Sequence, residues 1–161
     1  MVIFGTDMRR KEKEIKDRNE IEDIMRKAQV CRLAMADGPL PYIVPLCFGY
    51  GDDTLYFHTA QEGKKLDILR KNRMVCFECD TDRELIRSET PCKWGMKFRS
   101  VVGFGKASLV EDPVGKRKAL AIIIEHYAGS PTSDFEETIL RKTCVIKVDI
   151  EDMTGKKSGD P

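Results

Sequence analysis

Between positions 56 and 65 the chain reads Tyr-Phe-His-Thr-Ala-Gln-Glu-Gly-Lys-Lys. An apolar strand ends in the hydroxyl of Thr59. A short loop containing Gly63 follows, and a helix opens on Lys64 and Lys65. The start of a helix presents unpaired N–H groups and the positive end of the aligned peptide dipoles. Two ammonium groups and a hydroxyl donor beside such an end suit a phosphate dianion. A plain strand-to-helix junction with surface lysines reads the same residues without any ligand.

Other chemical patterns are weaker. The chain has no Gly-x4-Gly-Lys-Ser/Thr loop. Gly103-Phe104-Gly105 lacks the third glycine of a dinucleotide fingerprint and lies within an apolar run, so a bulge or bend is its better reading. The six cysteines, Cys31, Cys47, Cys76, Cys79, Cys92 and Cys144, mostly sit in strand-like runs and read as reduced thiols. Cys76 and Cys79 form a CxxC inside Met-Val-Cys-Phe-Glu-Cys-Asp. In a strand, residues three apart face opposite sides, so the two sulfurs do not converge. His58 stands beside the candidate phosphate site. It could contact a cofactor, donate a proton or be modified, or it could be a hydrogen-bonded structural histidine. His126, near the end of an apolar helix, complements the dipole and reads as structural. No Ser/His/Asp triad or carboxylate pair is evident.

These residues need elements to hold them. Ile21, Ile24, Met25 and Ala28 recur at helical spacing, with Asp17 or Asn19 as the cap. Three closely spaced strands follow, at 30–37, 41–50 and 54–59, separated by the turns Asp37-Gly38-Pro39 and Gly51-Asp52-Asp53. Pro45 inside the second run cannot donate to a ladder, so that strand belongs at an edge, at a bulge, or open to a ligand. A short helix covers the region after Lys64, then a strand at 74–81, a polar loop at 82–96 and a long strand at 98–112. Pro113 starts a helix that stops at Gly129. A loop, a short helix and a last strand at 143–152 close the chain. This order predicts a mainly β (α+β) fold with a six-stranded, largely antiparallel sheet and peripheral helices, rather than a doubly wound one. Closure into a split barrel would remove most exposed edges.

One domain fits 161 residues, with residues 1–16 as a flexible arm. Hydrophobic residues make up 41% and charged residues 34% of the chain, an ordinary globular composition. A net charge of +1 argues against nucleic-acid binding. No apolar run approaches the ~18 residues of a membrane helix. The N-terminal residues lack the features of a secretion signal, and the expected location is cytoplasmic.

The segments Pro-Tyr-Ile-Val-Pro-Leu (41–46), Tyr-Phe-His-Thr (56–59), Gly-Lys-Lys (63–65), Val-Cys-Phe-Glu (75–78), Ser-Val-Val-Gly-Phe-Gly (100–105), Glu-His-Tyr (125–127) and Met-Thr-Gly-Lys-Lys (153–157) occur in an order and spacing that are specific together. From about Asp17 to Lys156 the chain resembles the nitroimidazole-resistance branch of the pyridoxamine 5'-phosphate oxidase-like split barrels. That resemblance implies a homodimer carrying FMN at its interface. The backbone of Val44, Pro45, Leu46 and Cys47 should flank the isoalloxazine. His58 and Thr59 should lie by the ribityl-phosphate. Gly63, Lys64 and Lys65 should hold the phosphate, and Ser100 is a further candidate. Trp94 could cover a partner's flavin, although anchoring its loop in the core is the preferred reading. The resemblance implies a flavin-dependent oxidoreductase acting on a small planar acceptor such as a nitroaromatic. A flavin carrier or sensor without turnover, or a haem protein using His58 or His126, are the alternatives. Two departures stand out. Gly49 occupies a position that is basic in the oxidases proper, and the chain ends Lys-Lys-Ser-Gly-Asp-Pro. Both argue against pyridoxamine phosphate as substrate.

Overall fold

Side chains alternate along the strands, apolar then polar, and the alternation decides which face of the sheet closes over the core. The computed structural model describes residues 8–130, 132 and 134–159. In chain order its strands are β1 (Glu14–Ile15), β2 (Cys31–Asp37), β3 (Leu40–Leu46), β4 (Gly49–Gly51), β5 (Thr54–Thr59), β6 (Met74–Ile86), β7 (Gly95–Val110) and β8 (Cys144–Ser158). The helices are α1 (Arg18–Lys27), α2 (Lys64–Lys71), α3 (Pro113–Ala128) and α4 (Glu137–Lys142). All pairings are antiparallel, in the order β3-β2-β6-β7-β8-β5-β4, with β1 added on β8. The sheet curls into a barrel split between β3 and β4.

Register places Cys31, Leu33 and Met35 of β2 beside Cys79, Phe77 and Val75 of β6, all buried. Phe57, Leu55, Ile146 and Val148 continue this inner face, and Leu66, Ile68 and Leu69 of α2 close one end. Burying one such side chain stabilises the fold by about 1.5–3 kcal/mol. A smaller cluster outside the barrel joins Ala119, Leu120 and Ile123 of α3 to Leu140 of α4 and Val145 of β8. Asp17 caps α1 by accepting from the Asn19 N–H at 2.9 Å, which decides between the two candidate caps.

Three expectations change. The run 41–50 is two strands, because the Phe48 ring turns inward and its N–H bonds to a side chain of α3 instead of a strand. The stretch 82–96 is strand at both ends: β6 and β7 pair as far as Ile86 and Gly95, and a loop with a 3-10 turn (Pro91–Lys93) lies between them. Asp82, at φ 55°, and a register shift between Thr81 and Glu84 form a bulge that takes up the extra residues, after which the ladder resumes. The arm expected at 1–16 is anchored at its end, where Ile15 is buried and pairs with Gly155; residues 1–7 lie outside the described residues. With β1 and β4 the strand count is eight rather than six, within the same fold class. The register with β8 also shifts between Phe104 and Gly105, beside the bend expected there, but the extra residue is Glu151 of β8, not one of the glycines.

Candidate functional site

Two prolines define the open edge of the barrel. Pro41 and Pro45 of β3 stand opposite Ala36 and Arg32 of β2. A proline has no N–H to exchange, so both belong to the pairs whose backbone groups point away from the partner strand. Val44 and Leu46 therefore spend their backbone groups on β2. Ile43, Pro45 and Cys47 turn theirs toward the free edge. Of the four residues expected along a flavin ring, Pro45 and Cys47 offer backbone at that edge, while Val44 and Leu46 pack half-buried side chains against the core.

The other component is the β5–α2 junction. Thr59 is half-buried at the end of β5, on the face it shares with the buried Phe57. His58, one residue earlier, is exposed on the opposite face, so the two do not point at one ligand from the same side. Gly63 is the N-cap of α2 with φ 139°, a conformation that favours glycine, and it supplies no side-chain cap. Its carbonyl accepts from the N–H groups of Leu66 and Asp67. Where a Cβ on Gly63 would stand there is open space, with no heavy atom within 4 Å. Lys64 is exposed and Lys65 half-buried. The Lys64 ammonium lies 4.9 Å from the centre of the Tyr42 ring, a cation–π contact that joins this end of α2 to β3. Gln61 donates its side-chain amide to the Arg141 carbonyl, tying the loop to α4.

From Tyr42 to Leu46, β3 runs about 13 Å along the free edge, and Cys47 follows it. Its outer face continues into an apolar cavity of about 290 Å³ walled by Ala34, Met74, Cys76 and Phe104. Beside Pro45, Arg32 donates to Glu78 at 2.8 Å and Asp80 at 2.9 Å. Burial pushes the Glu78 carboxyl above its ordinary range, and the bond from Arg32 only partly offsets this. Ser100 pairs with Asp80 in register and lies three strands from β3, about 14 Å across the sheet. It shares the outer face with Pro45 and stands apart from the lysines. Trp94 is half-exposed, and its indole N–H donates to the Ser88 carbonyl at 2.6 Å, so it fixes the hairpin without entering the core.

A strand edge with free backbone groups, an apolar face and a cationic helix start are what a planar phosphorylated ligand requires. The sequence profile of pyridoxamine 5'-phosphate oxidase matches residues 17–157. The chain belongs to this family. Its structure is similar to that of a candidate 5-nitroimidazole antibiotic resistance protein from Bacteroides thetaiotaomicron, with TM-score 0.79 and 35% identity over 89% of this chain and 86% of that one. It shares its fold with an FAD- and heme-binding protein from Mycobacterium smegmatis, at TM-score 0.80 and 17% identity over 92% and 74% of the two chains. An FAD-binding protein from Mesorhizobium loti aligns at TM-score 0.64 and 23% identity over 89% and 96%. No protein of curated function matches the chain.

Within this family Gly49 has a physical reason. A Cβ there would stand 2.8 Å from the backbone C of Ile122 and N of Ile123, so α3 lies directly on β4 and leaves no room for a basic side chain.

Sequence reasoning passed over Tyr42 and Tyr127. Tyr42 lies in the run read as a strand, and only the proximity of Lys64 marks it. Tyr127 closes the helix segment Glu-His-Tyr. Its hydroxyl accepts from the Phe48 N–H at 3.0 Å and donates to the Gln29 carbonyl at 2.9 Å, contacts across 79 and 98 positions of sequence. His126 is structural, as its position suggested: Nε2–H donates to the Ala28 carbonyl at 2.7 Å and the ring packs 4.4 Å from Phe48.

Proposed function

We propose that the protein binds FMN along the free edge of β3 and is a flavin-dependent oxidoreductase that reduces a small planar acceptor, a nitroaromatic being the leading class. The carrying observation is the uncapped start of α2 at Gly63, with Lys64 reaching over Tyr42. Gly63, Lys64, Lys65 and Thr59 would hold the phosphate. The edge of β3 from Ile43 to Leu46, with Cys47 after it, would flank the ring. Bound FMN would supply the electron transfer. The chain's own part is to hold the phosphate, orient the ring and limit access of water. The similarity to the Bacteroides protein supports the nitroaromatic class.

A single chain offers the ring one wall. Ile43 is 59% exposed on β3, and Met96 and Val102 are 46% and 39% exposed along the same outer face of β7. An apolar stripe of this kind suits a second copy, which would supply the other wall and make the cytoplasmic protein a homodimer. Haem is the second reading, favoured by the fold shared with the heme-binding mycobacterial protein. The Nε2 of His126 is committed to Ala28, so that reading rests on the exposed His58.

The test is FMN titration of the wild type and of a Lys64→Ala, Lys65→Ala variant, followed by flavin fluorescence. Loss of two charge-assisted phosphate contacts should weaken FMN at least tenfold. Equal affinity in both proteins would show that the phosphate lies elsewhere. Steady-state oxidation of a reduced nicotinamide by the holo-protein, with a nitroaromatic as acceptor, separates an enzyme from a carrier.

A further inference from the structure

The corner between β3 and β4 is held by the last turn of α3, and it is the corner at which the proposed ring site ends. Phe48 is buried, with its ring against His126. Its N–H donates to Tyr127 Oη, and the same hydroxyl donates to Gln29 in the connection between α1 and β2. One phenol thus joins three elements. Among the described residues no peptide is cis. In a planar trans peptide the N–H and the C=O point in opposite directions. The Cys47–Phe48 peptide directs its N–H onto α3, so its carbonyl, that of Cys47, is turned away from α3.

We propose that Tyr127 is a positioning residue of the flavin site: by holding the Phe48 N–H it aims the Cys47 carbonyl as an acceptor for the imide N3–H of the isoalloxazine. This rests on the FMN reading above. A carbonyl is a suitable partner, because N3–H is a hydrogen-bond donor on the polar rim of the ring. The arrangement holds across the working pH range. Burial, chiefly, pushes the Tyr127 hydroxyl up to about 12, so it keeps its proton and serves both bonds. No other group needs to titrate. The distance along β3 also agrees. With the phosphate at Lys64, which sits over Tyr42, the ring falls toward Cys47.

The experiment compares FMN with N3-methyl-FMN, which lacks that donor, by fluorescence titration of wild type, Tyr127→Phe and His126→Ala. Wild type should prefer FMN about tenfold, the value of one well-made hydrogen bond. Tyr127→Phe keeps the ring but frees the corner, and its preference should fall to near unity. His126→Ala removes the ring beside Phe48 and the tie to Ala28 but leaves the Phe48 N–H bonded to Tyr127, and it should keep the preference. A role confined to stability would weaken both ligands by the same factor in Tyr127→Phe and leave their ratio unchanged; that result overturns the inference while the FMN reading stands. Wild type that binds neither ligand removes both. Should Tyr127→Phe fail to fold, 3-fluorotyrosine at position 127 preserves shape and weakens the hydroxyl as an acceptor, and the ratio must narrow in the same direction.

Discussion

Glu78 shows how burial can outweigh an ion pair. It lies on the outer face of β6, half-buried, between Arg32 and the apolar residues of the sheet. Burial raises its pKa, the like charge of Asp80 adds to this, and Arg32 opposes it. A carboxyl whose folded pKa exceeds its unfolded one contributes stability below the unfolded value and loses it as pH rises through the folded value. At neutral pH the ionised Glu78 is therefore a net cost, even with an ion pair at 2.8 Å. Glu78→Gln should melt no lower than wild type at pH 7, with a gain of at most about 3 °C given the partial exposure. The gain should vanish as pH falls below the ordinary carboxylate value of 4.5. A variant that melts well below wild type at pH 7 would mean that the Arg32 pair outweighs burial. The sequence hinted at none of this, because Arg32 and Glu78 meet only through strand register. Thr59, Gly63, Lys64 and Lys65 were legible as a group because adjacent residues stay together in any fold. Tyr127 was not, since its partners lie 79 and 98 positions away.

At the scale of elements, α3 is positioned by an absence. It crosses β4 so closely that Gly49 has Ile122 and Ile123 backbone where a side chain would begin. Backbone in a helix cannot move aside as the end of a side chain can, so Gly49→Ala must shift the whole helix. Overpacking of this kind costs about 3 kcal/mol, which corresponds to a fall in Tm of roughly 10 °C for a domain of this size. Because α3 also carries Tyr127 and His126, the shift should weaken FMN binding in parallel; a differential-scanning melt and a flavin titration on the same sample check both. A Tm within 2 °C or so of wild type would show that α3 can lift without cost. The sequence located α3 well, since Pro113 and Gly129 bracket it. It placed most strands by alternation. It lost β6 and β7 beyond Thr81, where a polar composition and the bulge at Asp82 hide a solvent-exposed ladder. It also merged β3 with β4, because the chain changes direction at Phe48 through a tertiary contact and not through a turn residue.

The whole molecule has an outer face that a lone barrel would leave in water. Ile43 of β3 starts a row on it that runs in register through half-buried Ala34, Cys76 and Phe104, and Val102 of β7 lies on the same face in the next row, opposite Glu78. The hairpin of β6 and β7 extends the same apolar surface through Leu85, Met96 and Trp94. Edge prolines at 41 and 45 discourage β3 from adding a strand from another chain, so association must use the face and not the edge. A stable pair of chains needs roughly 1,000 Å² of buried surface, and a two-fold axis makes one face serve both partners. In the proposed dimer, placing Glu at both Ile43 and Val102 puts two charges per chain into the contact. Light scattering should find the wild type at twice the 18.4 kDa chain mass and the double variant at once that mass, with far-UV circular dichroism unchanged. FMN should then bind the variant more weakly than its intact α2 site allows, because one wall of the ring site is gone. A wild type that runs as a monomer yet binds FMN tightly would place the second wall within a single chain. The hairpin carrying Trp94 is the element with enough exposed apolar surface to provide it, and deletion of residues 87–94 would then abolish binding that the double variant retains.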